Sequence, residues 1–178
     1  MADARPEDEV FEIVDETGRV VGAAPRSRCH GDPTLAHRVA HVFVRSSSGG
    51  YFLQKRSAAK RIQPGKWDTS VGGHLAQGES YEEAALRELA EELGVELARG
   101  PDGAFPLAHL HDYVWRSEVE TEHVRTYLLV HDGPFRLHPV EIADGRFWSP
   151  DELRAAVGAG AFTPNLEEEL RRLGVAEG

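Results

Sequence analysis

The sequence holds one cysteine, Cys29, among 178 residues, so no intrachain disulfide can form and nothing in the composition calls for an oxidising compartment. Long apolar runs are missing too: none approaches the roughly 18 residues that a spanning helix needs. The opening stretch, MADARPEDEVFEIVDE, has neither a basic head nor an apolar segment of the kind that targets a chain for secretion. The expectation is a cytoplasmic protein with no membrane anchor. Positive charge is scarce, with 20 Lys and Arg against 30 Asp and Glu and a formal net charge of −10. Stable nucleic-acid binding and attachment to anionic lipid both need a cationic surface, so neither is expected. A local basic patch for a phosphorylated small molecule stays compatible with that total.

What remains is enough for a single core. With 40% hydrophobic and 28% charged residues, a chain of this length fits one globular domain. The reading is a flexible polar tail over residues 1–8 and one domain over 9–178. EVFEIVDETGRVVGAAPR alternates apolar and polar residues around a DETG turn and predicts a hairpin. HRVAHVFVRSSSGGYFLQKR repeats the pattern more strongly around SSSGG. SAAKRIQPGKWDTSVGG, punctuated by Pro64 and glycines, reads as a long loop returning as a short strand near residues 68–71. Ser80 followed by Glu83 makes a capping box and Gly94 a stop, which predicts a helix over 81–93. Runs near 107–115 and 123–130 read as strands, and two short helices follow, begun at Ser149/Pro150 and at Thr163. Strands, helix, strands, helices in that order predict an α/β class, a mixed sheet sandwiched between helices.

The stretch GGHLAQGESYEEAALRELAEELGV, residues 72–95, is crowded with glutamates. On a wheel of about 100° per residue, Leu86, Leu89, Ala90 and Leu93 gather on one face, expected to be buried. Glu88, Glu91 and Glu92 fall within roughly 100° of one another on the opposite side, where like charges repel. A solvated face balanced by Arg87 is one reading and a cation site the other. Spacing separates them: Gly73, five residues, Glu79, seven more, then RELAEELGV fill every fixed position of G-x5-E-x7-R-E-U-x-E-E-x-G-U, with U aliphatic. That is the signature of the Nudix hydrolases, and the chain resembles this family. The resemblance implies the Nudix fold, an α/β/α sandwich whose loop–helix–loop binds divalent cations, Mg²⁺ first and Mn²⁺ as the alternative, that bridge a substrate diphosphate. It implies Glu88 and Glu92 as principal ligands, Glu91 as a further ligand or base, and Gly73 as a carbonyl ligand. Hard cations prefer such oxygens. Glu79 is expected to pair with Arg87 and hold the loop to the helix that Gly94 ends; Glu91, Glu88 and Arg87 are thereby assigned to catalysis.

LQKRSAAKRIQPGKWDTSVGGHLAQGES, residues 53–80, resembles the isopentenyl-diphosphate isomerase-like branch of the family, in which an R-x3-K element, a P-G-x-W loop and a G-H pair precede the helix. True isomerases use a cysteine just before the G-H pair; Gly72 stands there, and Glu88 and Glu91 of the box are intact, so both departures imply hydrolysis. Arg56 and Lys60 become candidates for the diphosphate, and Trp67 either stacks on a base or anchors the loop. His30, His37 and His74 fall where the isomerase keeps three histidine ligands. Its E-x-E pair aligns with Thr121 and His123, while Glu120 and Glu122 lie one residue away, a slip that turns side chains to the other face of a strand. The expectation is therefore histidines with structural or substrate-orienting roles, His37 and His74 among the substrate contacts, in preference to a complete second metal site. His41 reads as an ordinary strand histidine. His111, Tyr113 and Trp115 share a strand face, and Glu141 resembles an acidic position that serves as base in some members. The expected partner is a nucleotide or other diphosphate-containing small molecule; a homodimer is common in the family, though no stretch compels it.

Overall fold

Apolar–polar alternation in the first third of the chain becomes strand, as its period of two demands. The computed structural model describes residues 9–175; the tail assigned to 1–8 lies outside them. The first hairpin is β1 (Val10–Val14) and β2 (Val20–Pro25). Its turn is tied by the Asp15 carboxylate, which accepts from the backbone N–H groups of Thr17 and Arg19. A single helical turn that the sequence did not predict, α1 (Arg26–Cys29), follows. The second hairpin is β3 (His37–Arg45) and β4 (Tyr51–Arg56), but the two strands pair only at Val44↔Phe52 and Arg45↔Tyr51 before they diverge. Ser70 fills the gap, its hydroxyl accepting from Val44 N–H and donating to the Phe52 carbonyl.

That divergence splits the strand expected near residues 68–71 in two. β5 (Trp67–Asp68) pairs with β4, and β6 (Val71–His74) pairs with β3. After α2 (Tyr81–Leu93) come β7 (Ala108–Arg116), β8 (Thr121–Val130) and β9 (Ile142–Trp148), then α3 (Pro150–Ala156) and α4 (Pro164–Arg172). β3 is the axis of the sheet: antiparallel to β1, β4 and β6, and parallel to β8 from His37↔Glu122 to Arg45↔Val130. The sheet is mixed, as expected.

Alternation along β3 gives the sheet two apolar faces. Ala40, Val42 and Val44 meet Leu89 and Leu93 of α2 on one side; Phe43 meets Leu153 of α3 and Leu166 and Leu170 of α4 on the other. Each of those leucines is fully buried, worth about 1.5–3 kcal/mol apiece. α2 begins with the predicted capping box between Ser80 and Glu83 and ends at Gly94 in the left-handed conformation, φ 68°. The wheel needs one correction. Glu88 and Glu92 are buried, whereas Leu86 and Ala90 are only half-buried. Glu92 lies about 60° from Leu89 around the axis, so docking Leu89 and Leu93 on the sheet brings that carboxylate edge down with them.

Candidate active site

A cleft of about 470 Å³ opens over the ends of β3, β4 and β6, and its lining includes His41, Gln54, Gly72, His74, Glu92 and Glu122. Two acidic groups meet it. The first is the α2 edge. Gly73 must be glycine, because a Cβ there would stand 2.0 Å from the Glu88 carboxyl. Glu88 accepts from Arg87 Nη1 at 2.6 Å, and Arg87 Nε and Nη2 both donate to Glu79 at 2.8 Å, with Nη2 also reaching the His74 carbonyl. These carboxylates hold the Arg87 guanidinium more firmly protonated than usual. Glu92 accepts from Gln54 Nε2 at 2.9 Å and from Gly72 N–H at 3.2 Å. Glu91 is half exposed and 3.5 Å from Arg87 Nη1.

The second group corrects the expectation from the sequence. Glu120 and Glu122, not Thr121 and His123, face the histidines. The β3–β8 register sets His37 beside Glu122, while Thr121 turns away to donate to the Pro33 carbonyl. The nitrogens of His30, His37 and His74 lie within 4.8 Å of one another, as do the ligand atoms of His37, Glu120 and Glu122. His30 Nε2 and His74 Nε2 are 3.0 Å apart, and Glu122 Oε1 is 3.5 Å from His74 Nε2 and 3.8 Å from His37 Nε2. His37 Nδ1–H donates to the Leu35 carbonyl, and its Nε2 is buried without a hydrogen-bond partner among the described residues. Burial depresses His37 to about 4 and His30, with help from Arg26, to about 3. Burial also raises Glu122, helped by the Glu120 charge, and raises Glu120 itself. Imidazoles that burial keeps neutral, His37 fixed through its second nitrogen, stand beside carboxylates crowded out of water and form a donor set suited to a divalent cation of the N/O-binding kind.

The remaining candidates divide. Arg56 and Lys60 line the cleft, Arg56 anchored to Asp68 Oδ2 at 2.8 Å and Lys60 to Glu141 Oε2 at 2.6 Å. Trp67 sits edge-on to Trp148, ring centroids 5.2 Å apart, against the α3/α4 core; it anchors the loop and is not part of the cleft lining. His111, Tyr113 and Trp115 share the inward face, but only Trp115 reaches the cleft, while Tyr113 is buried. Sequence reasoning missed Gln54, which orients Glu92, and Glu169, which holds His41. Neither belongs to a motif; only the sheet and α4 bring them in.

Comparison with known proteins agrees with this architecture. A NUDIX domain model matches residues 35–166, and the chain belongs to that family. It is 40% identical to the isopentenyl-diphosphate Delta-isomerase of Nocardia farcinica, over 89% of this chain and 91% of that one. It is 34% identical to a Nudix hydrolase of Deinococcus radiodurans, over 93% and 94%. A crystal structure of a Deinococcus radiodurans protein superposes with a TM-score of 0.76 at 32% identity, covering 92% of this chain and 98% of that one. The protein is an enzyme of the Nudix hydrolase class, and its relatives put it in the isopentenyl-diphosphate isomerase-like branch.

Proposed function

We propose that the protein hydrolyses a phosphoanhydride bond in a nucleoside di- or triphosphate, or in a nucleoside diphosphate linked to another group, with Mg²⁺ or Mn²⁺ as cofactor. The observation that carries this reading is the pair of buried carboxylates, Glu88 and Glu92, held against the side-chain-free Gly72–Gly73 backbone beside the cleft. With Glu91 alongside, three carboxylates gather on this edge, of which Glu88 and Glu91 are paired with Arg87, an oxygen-rich set that suits a hard cation. A bound divalent cation supplies charge neutralisation for the diphosphate and a more acidic water. The chain's own groups do the rest. Glu79 and Arg87 lock the loop to α2, Gln54 orients Glu92, and the half-exposed Glu91 takes a proton from the attacking water. Arg56 and Lys60 present cationic ends across the cleft to the phosphate oxygens.

The test is product release from a panel of nucleoside diphosphates, triphosphates, nucleotide sugars, dinucleotides and isopentenyl diphosphate, with Mg²⁺ or Mn²⁺ and a chelator control. Metal-dependent cleavage concentrated on one nucleotide class is expected; no cleavage of any member with either metal would overturn the reading.

A second reading, a proton-transfer reaction on a prenyl diphosphate, is favoured by the complete histidine–glutamate group and by the Nocardia farcinica relative. Against it stands Gly72, which offers no side chain where isomerases keep their cysteine. Deuterium uptake into isopentenyl diphosphate in heavy water discriminates the two, and absence of uptake in protein that cleaves nucleotides retires the isomerase.

A further inference from the structure

One buried pair reaches the cleft without belonging to either acidic group. Glu169 on α4 is fully buried; it accepts from Thr126 Oγ1 at 2.6 Å and lies 3.1 Å from His41 Nδ1. His111 Nε2 is 3.9 Å from its other oxygen. A carboxylate so far from water needs a cationic partner, and His41 is placed to be it. With Nδ1 on Glu169, the ring turns its Cδ2–Nε2 edge to Gly72: a Cβ on that glycine would stand 3.1 Å from Cδ2 and 3.2 Å from Nε2. Any side chain at position 72 would cover the edge. Glycine leaves it on the floor of the cleft, which His41, Gly72 and Glu92 line together.

We propose that His41 is a further substrate-contacting residue, its Nε2–H donating to an oxygen of the diphosphate bound in the cleft, with Glu169 as the positioning residue that fixes the ring. This rests on the reading of the substrate as a diphosphate. The arrangement follows the logic by which an imidazole is aimed through one nitrogen so that the other can act, and an N–H from a cationic ring to a phosphate oxygen is a charge-assisted hydrogen bond.

Calorimetric binding of methylenediphosphonate in Mg²⁺, a probe that cannot be hydrolysed, tests this without turnover. His41→Ala is expected to weaken binding by about 10-fold or more, the scale of a lost hydrogen bond to a charged group. His41→Gln, which keeps a donor at the position of Nε2, should recover most of the loss, and Glu169→Gln should fall between. Should the alanine variant fail to fold, ¹⁵N imidazole spectra of the wild-type protein decide, with the His41 signal assigned by its loss in His41→Gln and expected to shift on saturation with the probe. A folded His41→Ala that binds within about twofold of wild type, or a His41 signal that does not move, overturns the proposal. Nucleotide cleavage with unaltered probe binding in the His41 variants would sink His41 alone. Probe binding that depends on His41, in a protein that cleaves no nucleotide, would sink the hydrolase reading alone. A wild-type protein that does not bind the probe would sink both.

Discussion

The two acidic groups around the cleft are built in opposite ways. The α2 edge draws Glu88, Glu91 and Glu92 from little more than one helical turn and carries its own counter-charge, Arg87, which Glu79 clamps from the preceding loop. The second group draws His30, His37, His74, Glu120 and Glu122 from four places in the chain, and the sheet register brings them together. The first is an all-carboxylate set, two of its members buried, that an arginine already partly neutralises. The second mixes neutral imidazoles with carboxylates whose burial opposes their charge. Hard, water-rich cations suit the first, and cations that accept nitrogen suit the second. The difference teaches that one cleft can gather two donor sets of different character, of which one needs a helix and the other needs the whole fold.

The largest expected effect breaks this comparison on the helix side. Glu92→Gln keeps the shape of the side chain and its contact with Gln54 but removes a ligand charge, and it is expected to lower kcat/KM for the best nucleotide by at least about 100-fold. Rates measured across a Mg²⁺ titration check this; wild-type turnover in that variant would remove α2 from the reaction. Next is Glu122→Gln. It should remove about one equivalent of bound transition metal, measured by mass spectrometry, while hydrolysis falls by about 10-fold or less, the effect of a supporting site. If Glu122→Gln silences hydrolysis as completely as Glu92→Gln, the two groups form one centre and the distinction collapses.

How much of each group was legible in the sequence follows from the same contrast. The helix, its capping box and its glycine stop depend on neighbours within one short stretch, so local rules reached them, as they reached the α/β sandwich, both hairpins and the caps of α3 and α4; the Arg87–Glu79 clamp came from the family resemblance. Glu120 and Glu122 were set aside because their placement depends on where β8 starts to alternate, and that is decided by its parallel pairing with β3, about 80 residues earlier in the chain. The burial of Glu88 and Glu92 was misjudged for a related reason. Periodicity tells which residues share a face, but how far the buried arc extends depends on what the helix lies against, here a strand with two glycines. His41 was read as unremarkable because its partner, Glu169, arrives from the far end of the chain.

Those glycines sharpen the comparison at smaller scale. Gly73→Ala would place a Cβ 2.0 Å from the Glu88 carboxyl, so the helix or the strand must shift, at an expected stability cost of about 1–3 kcal/mol by urea unfolding. Gly72→Ala meets the edge of His41 at 3.1 Å and Thr69 Cγ2 at an ordinary contact distance of 3.6 Å and should cost less than about 1 kcal/mol, because a small ring displacement relieves it. Equal costs would mean that α2 is not seated against β6 as tightly as the close approach implies.

A change of pH separates the buried histidines, which should respond with opposite signs. His30 and His37 have folded-state pKa values depressed to about 3 and about 4 by burial. The unfolded chain therefore binds more protons than the folded one below pH 6.5, and stability falls as pH is lowered from there. His41 is the reverse. Burial works against its charge, but Glu169, with Asp68 and Glu122 nearby, lifts it to about 9. Its contribution is fully present below pH 6.5 and is lost as pH rises through about 9, with a slope no steeper than about 1.4 kcal/mol per pH unit. Unfolding free energies of metal-free protein should thus decline on both sides of neutrality. His37→Gln is expected to flatten the acid limb, and Glu169→Gln the alkaline one. If Glu169→Gln leaves the alkaline limb unchanged, His41 is not held charged by that carboxylate, and the ring presents an acceptor in place of a donor to whatever the cleft binds.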